Sequence, residues 1–440
     1  MFKRLMVIVF LFVILIAFLC SPVFANGFKN DALLDTEATG MATVFVAQAD
    51  SPSAVQFNPA GLTQLKGDHV RVGYTSAVPR NFRTDTSGNT SKAQVDNFLV
   101  PNIYLVNSLK SENWKFGLGV TSPYGLGTDW ADDSFARFQT TESSLQVLQI
   151  NPTVAYKYND MVSLGFGIDY IMSETSSHKR IADNFGIIGG DPNVGGFGDL
   201  HSKGNDDGWG YNLGLLVKPS EKYSIGVTYR SRVKLTYKGT ISMTNLSSGV
   251  YGPLGLGYFP DDTYVTGIES RLTLPQTISL GYAFRPNQKW TLEADGIWTD
   301  WSSVQEDFAK YTDEGDPNRL TVLNDGNPLA KDWNATMSYG VSAKYQATNK
   351  WVLRCGYLYA ETPVPAANFE PSMVDMNMNV VSLGTGYKLN DKLSVDAAYL
   401  RGFYKNRYIT NDVGLSSGAN LDGMYKSYVD VVSVAFTYKY

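Results

Sequence analysis

Six short polar turns constrain this chain more than anything else in it. They fall at 108–113, 158–160, 219–222, 286–289, 347–350 and 390–392, and each is built from Asn, Asp, Ser, Pro and Lys. Each is flanked by runs in which apolar residues alternate with small or polar ones, the pattern of a hairpin. The stretches between successive turns are long, so the other end of each hairpin carries a larger loop. Short turns at one end and long loops at the other, with alternating strands between, describe an outer-membrane β-barrel. Six turns join twelve strands, and one strand before the first turn and one after the last give fourteen. The reading is therefore an all-β membrane protein, a 14-stranded antiparallel transmembrane β-barrel over residues 68–440. The strands are expected near 69–79, 95–107, 113–121, 145–158, 161–173, 208–218, 222–238, 268–285, 289–300, 333–347, 350–361, 376–389, 392–404 and 426–440.

Alternation decides which face of each strand meets lipid. In the last strand Val432, Val434, Phe436, Tyr438 and Tyr440 share the outward face, and in the sixth Trp209, Tyr211, Leu213, Leu215 and Val217 do. Aromatics crowd the turns (Trp114, Tyr156, Tyr223, Trp290, Trp351, Tyr387), as an interfacial girdle requires. A soluble β-sandwich shares the alternation but has no use for the girdle. With 27 Tyr, 22 Phe, 41 Gly and 18% charged residues, the composition also suits a barrel. A mean hydropathy of −0.17 is too polar for a bundle of membrane helices.

Lys3 and Arg4 followed by the apolar 5–19 and by Val23-Phe24-Ala25 form an export signal, so residues 1–25 are expected to be cleaved. The apolar run is short for a membrane anchor. Leu19 before Cys20 does not fit a lipoprotein site. Removal of Lys3 and Arg4 leaves 35 basic and 42 acidic side chains, which argues against a nucleic-acid partner. Cys355 is then the sole cysteine and no internal disulfide can form. The terminal Phe436, Tyr438 and Tyr440 resemble the signal read by the outer-membrane barrel-assembly machinery, which places the chain in a Gram-negative outer membrane.

Nothing supports catalysis, a cofactor or a metal. The three histidines, His69, His178 and His201, lack metal-ligand spacing. Gly414-Leu415-Ser416-Ser417-Gly418 formally matches GxSxG, but a Gly/Ser-rich loop is not the strand-to-helix elbow that motif needs. The Gly-rich 186–198 precedes no helix and lacks the Lys-Ser/Thr of a phosphate loop. On strand seven, parity turns Arg230, Arg232 and Lys234 inward together. Arg271, Lys344 and Arg354, with the acids Asp169, Glu293, Asp295 and Asp396, are also inward by parity. Two uses remain open for such charges: mutual neutralisation in the lumen, or reception of a ligand carboxylate by Arg230, Arg232 or Lys234. Two loops expose apolar clusters, one with Tyr124, Leu126, Trp130, Phe135 and Phe138, the other spanning 250–259. These are candidates to admit a hydrophobic ligand or to pack against other loops.

Residues 26–67 do not read as strand. They include Val46-Ala47-Gln48-Ala49-Asp50-Ser51-Pro52-Ser53-Ala54-Val55-Gln56-Phe57-Asn58-Pro59-Ala60-Gly61-Leu62. Together with Ser122-Pro123-Tyr124-Gly125 and Ile150-Asn151-Pro152, this run resembles the FadL/TodX family of outer-membrane transporters of long-chain fatty acids and aromatic hydrocarbons. The resemblance implies that 26–67 form a hatch inside the lumen, with Asn58, Pro59 and Ala60 fixing its last turn to the wall. It implies a kinked third strand, assisted by Gly117, Gly119 and Pro123, that opens the wall sideways. It implies a monomer in contact with outer-membrane lipid and lipopolysaccharide, and passive transport of a hydrophobic small molecule, fatty acids ahead of aromatic hydrocarbons. A general porin for hydrophilic solutes is the alternative.

Overall fold

The computed structural model describes residues 27–95, 97–182, 197–246, 259, 263–324, 327–415 and 418–440. The expected export signal, most of the Gly-rich 186–198, the apolar 250–258 and Ser416 with Ser417 lie outside them. The described residues form one closed antiparallel barrel of fourteen strands. β1 is His69–Thr84, β2 Phe98–Asn107, and β3 comes in two pieces, Trp114–Thr121 and Gly125–Asp129. β4 is Glu142–Lys157, β5 Val162–Ala182 and β6 Phe197–Ser220. β7 (Tyr223–Arg230, Val233–Thr244) and β8 (Tyr264–Leu274, Thr277–Asn287) are each interrupted once. β9 is Trp290–Thr299, β10 Thr336–Gln346, β11 Trp351–Ala360, β12 Met378–Lys388, β13 Leu393–Tyr404 and β14 Gly423–Lys439.

The seam closes where β1 pairs with β14, from His69↔Lys439 to Thr84↔Met424. The six polar turns all lie at one end. β5 and β6 run for 21 and 24 residues, about twice what a tilted strand needs to cross a bilayer, so their far halves project outside. The outward faces are as expected: Trp209, Tyr211, Leu213, Val432, Phe436 and Tyr438 are exposed, while their inward neighbours Ser433 and Ala435 are fully buried. Ring pairs Trp114–Tyr156, Trp290–Tyr345 and Trp351–Tyr387 mark the girdle near the turns.

Residues 27–67 fill the lumen, and every one from Leu33 to Ala49 is buried. They fold as four short helical pieces, Asp31–Leu33, Thr36–Thr39, Ala54–Phe57 and Pro59–Gln64. None is long enough to be stable alone, so caps and wall contacts hold them. Asp35 accepts the Glu37 and Ala38 N–H groups (3.0 and 3.2 Å). Asn58 Oδ1 accepts the Ala60 N–H (3.1 Å), while its amide donates to the carbonyls of Val46 (2.9 Å) and, on β6, Leu215 (3.2 Å). Asn58 therefore ties two hatch segments and the wall at one point, with Pro59 starting the last helical piece.

The wall meets this hatch with glycine. A Cβ on Gly356 would fall on the Met41 carbonyl, one on Gly226 on the Val46 carbonyl, and one on Gly281 would sit 2.9 Å from the Ala47 nitrogen. These positions need glycine for close backbone approach rather than for an unusual φ. Gly117 and Gly119 belong to the same set: they lie in the unbroken first piece of β3 and face Val55. They do not form the expected kink, which falls at 122–124.

Valine at Gly356 should cost about 1–3 kcal/mol of packing and unseat the hatch. Amide exchange in residues 38–46 should then accelerate roughly tenfold or more, with the barrel still migrating as a folded species on an unheated gel. Unchanged exchange would refute the seat.

Candidate functional site

Charges on the inner wall are spent on the hatch. Arg71, 1% exposed, donates from Nε to Asp35 (2.5 Å) and from Nη1 to Asp396 on β13 (2.7 Å) and Thr437 on β14 (2.7 Å). Arg354 bridges Asp396 and Glu37, both at 2.9 Å. Lys344 reaches Asp50 at 2.8 Å. Glu293 and Asp295 accept four consecutive hatch N–H groups, those of Phe45 (2.8 Å), Val46 (3.1 Å), Ala47 (2.5 Å) and Gln48 (3.1 Å). Mutual neutralisation thus describes Arg71, Arg354 and Lys344 with their acids, whereas Glu293 and Asp295 serve main-chain N–H groups.

The three cations read together on β7 are separated. Arg230 points inward, 2.6 Å from Asp169, and donates to the Gln56 carbonyl (3.1 Å). Opposite β6, the chain takes eight steps from Arg230 to Lys238 while its partner takes seven from Asn212 to Asn205. The extra residue is a bulge at Ser231-Arg232, which reverses the alternation. Ser231 and Val233 are buried, whereas Arg232 and Lys234 are exposed. Arg232 pairs with Asp300 (3.4 Å). Arg271 is turned outward by the matching interruption at Pro275-Gln276 on β8.

An outer vestibule opens among the loops, with Leu126, Leu145, Tyr237, Leu272 and Trp333 in its wall beside the charged Lys179, Glu306, Lys331 and Glu370. Its floor is Phe28, whose ring lies 4.6 Å from Trp301, 5.6 Å from Trp333 and 6.1 Å from Tyr124. Beneath the 28–33 segment lies a narrow cavity walled by Ile297, Leu358, Met378, Val380, Leu400, Val429 and Val431. Its charged lining residues are Lys29 and Asp31, which pair at 2.7 Å. A second narrow cavity shares Lys29, Asp31, Thr43 and Ile297 with the first and reaches Arg230, Pro123 and Tyr124. Lys29 was not singled out in the sequence, where a lone lysine ahead of an acidic stretch carries no signal.

The second cavity ends at a defect in the wall. β2 and β3 pair from Ile103↔Val120 to Asn107↔Phe116, and beyond the 122–124 break the second piece of β3 pairs with β4 instead. Phe98–Asn102 face the gap. The N-terminal strip closes it from within: Asn30 N–H donates to Pro123 O (2.9 Å), Gly125 N–H to Phe28 O (2.9 Å), and Tyr104 Oη to Leu34 O (2.6 Å). Lys29 and Tyr124 form the bridge pair at its centre. Tyr124 thus lines the second cavity and Leu126 the vestibule. Trp130, Phe135 and Phe138 do not: Trp130 donates to Pro371 O (3.0 Å) and stacks edge-on against Phe135 (5.0 Å), and Phe138 packs with Ala419 and Leu421. Those three hold loops together.

His178 and His201, unrelated in spacing, stack at 4.0 Å because β5 and β6 place them opposite each other. No group of three or more metal-ligating side chains assembles among the described residues.

A family model described as outer membrane protein transport protein (OMPP1/FadL/TodX) matches residues 16–440. The long-chain fatty acid transport protein of Escherichia coli O6:H1 is 25% identical over 414 residues, 88% of this chain and 89% of its own. Outer membrane protein P1 of Haemophilus influenzae is 24% identical over 433 residues, 86% and 88% of the two chains. Among solved structures, a Pseudomonas aeruginosa FadL homologue superposes with a TM-score of 0.80 at 23% identity, covering 94% of this chain and 99% of its own. The toluene transporter TodX of P. putida gives 0.68 at 18%, with the same coverage.

The strip's first described residue is held by a titratable group. Asp375 Oδ2 accepts the Gly27 N–H (3.2 Å) and the Thr362 hydroxyl (2.7 Å), and burial pushes the carboxyl up to about 6 from 3.8. Between those values the closed state binds the proton and an opened one does not, so closure loses stability as pH rises through that window, by roughly 3 kcal/mol at most. Corrected for intrinsic rates, exchange in residues 27–33 should be faster at pH 7 than at pH 5, and Asp375→Asn should flatten the difference. A pH-independent wild type would contradict this.

Proposed function

The chain belongs to the OMPP1/FadL/TodX family of outer membrane transport proteins, and from that premise we propose that it is a passive channel for hydrophobic small molecules, long-chain fatty acids first. The observation that carries the reading is the apolar cavity under the N-terminal strip, whose cation is Lys29. Aliphatic walls suit an alkyl tail. Lys29, and Arg230 in the adjoining cavity, supply charge-assisted donors for one carboxylate, in competition with Asp31 and Asp169.

The proposed route has four stages. A ligand leaves water for the vestibule, where Leu126 and the Phe28 cluster receive it. Displacement of the strip then joins the vestibule to the cavities. The head group exchanges onto Lys29 while the tail lies along Leu358 to Val431. The same displacement frees the edges of Phe98–Asn102 and 122–124, so the ligand leaves sideways into the bilayer and never meets the polar periplasmic end. No energy source is required, because each step moves apolar surface away from water. An aromatic hydrocarbon fits the same path without the carboxylate step. A hydrophilic porin is disfavoured by the hatch that fills the lumen. We also propose that residues 1–25 are removed on export, that the barrel-assembly machinery inserts the chain, and that it acts as a monomer.

The test locks the strip. Lys29 and Tyr124 form a bridge flanked by two hydrogen bonds, the close-approach type of antiparallel pair, so Lys29→Cys with Tyr124→Cys should form a disulfide. In cells lacking other fatty-acid channels, oxidised double variant should take up neither oleate nor toluene, and reductant should restore toluene uptake. Undiminished uptake by the locked protein would eliminate the lateral route. Oleate lost and toluene retained in the reduced variant would assign Lys29 to the carboxylate.

A further inference from the structure

The outward face of the seam carries a charge cluster that transport does not use. Arg80 on β1 and Arg401 on β13 flank Asp430 on β14, with Nη1···Oδ distances of 2.8 and 3.3 Å. Tyr399 donates its hydroxyl to the same carboxylate (2.6 Å). Both guanidinium groups lie over the ring of Tyr428, at 5.3 Å for Arg80 and 4.8 Å for Arg401, and Phe82 stacks on that ring at 6.0 Å. Aromatic floors and a shared carboxylate therefore hold two arginines side by side.

Their depth follows from the strand. Outward on β14 below Asp430 come Val432, Val434, Phe436 and Tyr438, all exposed to lipid, and then Tyr440 at the periplasmic girdle. Ten residues of a strand tilted by about 40° rise about 25 Å, the height of the apolar band. Arg80 and Arg401 thus stand where the outer leaflet's acyl chains meet its head groups. Lys92 and Lys426 are exposed one step further out, both paired to Phe82 in the ladder. Four cations face one acid there, on a chain whose net charge is −5.

The cluster is not internally satisfied. Each guanidinium has five N–H donors, and Asp430 takes one from each. Across the barrel two exposed cations have acids of their own: Lys203 sits 2.7 Å from Glu174 and Arg271 3.8 Å from Glu269. An excess of oriented arginine donors at head-group depth, open to lipid, matches a tetrahedral oxyanion that accepts several hydrogen bonds at once. We propose that Arg80 and Arg401 form a docking site for the phosphate of an outer-leaflet phosphorylated glycolipid, with Lys92 and Lys426 meeting further phosphates above it and the seam's apolar face taking the acyl chains.

The test uses full-length protein extracted from outer membranes, stripped of lipid in detergent and titrated with three probes: bisphosphorylated lipid A, enzymatically dephosphorylated lipid A and inorganic phosphate. Occupancy is read by native mass spectrometry. Bisphosphorylated lipid A should bind wild type, and loss of the phosphates should weaken binding roughly tenfold or more. Arg80→Gln with Arg401→Gln should show a similar loss, while Arg271→Gln across the barrel should bind as wild type. Equal binding of the phosphorylated and dephosphorylated lipids to wild type would overturn the proposal without recourse to any variant. Displacement of the lipid by millimolar inorganic phosphate would also overturn it, leaving a free-anion site.

Discussion

Everything inside this barrel depends on one constraint: a backbone buried in a dry lumen must find partners for its N–H and C=O groups. The hatch makes too little regular structure to satisfy itself. Glu293 and Asp295 meet that need for four consecutive N–H groups, and Asn58 does so for two carbonyls. A buried carboxylate is costly when isolated, and it becomes tolerable when several donors converge on it. Glu293 and Asp295 are thus hydrogen-bond acceptors for main chain before they are charges. The glycines beside them follow from the same constraint, since a main chain must come close to be bonded.

The defect in β3 is solved in the same way. A broken ladder leaves N–H and C=O groups open at Pro123 and Gly125, and the strip 28–30 supplies the missing edge from inside the barrel. A strand edge borrowed for two hydrogen bonds is weak by design compared with the continuous ladders around it. The element that closes the gap also floors the vestibule with Phe28 and brings Lys29 to the cavity, so one short segment couples admission, binding and exit.

The strand count, the outward faces and the Asn58-Pro59-Ala60 turn were legible in the sequence because they rest on period-two alternation and on turn chemistry, both local. The placement of Arg232, Lys234 and Arg271 was not. Parity propagates only along an unbroken strand, and one bulge inverts everything beyond it. Pro275, which cannot donate to a ladder, was the available warning that the eighth strand is interrupted. The Gly117 and Gly119 pair, expected to assist a kink, serves instead as clearance for Val55, a contact far away in the chain. Trp130 and Phe138 looked exposed because loops that cover them lie hundreds of residues further on. Lys29 gains meaning only from the cavity above which it is suspended.

Arg71 carries a last consequence. It follows the hatch by a few residues, yet it bonds Asp35 in the hatch, Asp396 on the penultimate strand and Thr437 on the last. The strand it belongs to is also the one that pairs with β14 to complete the ring. Without the hatch, this side chain would stand in the lumen with an acidic partner missing. Without the seam, it would lose the other two. Insertion of the hatch and closure of the cylinder are therefore energetically coupled, because each completes a set of partners on Arg71 that the other leaves unfinished.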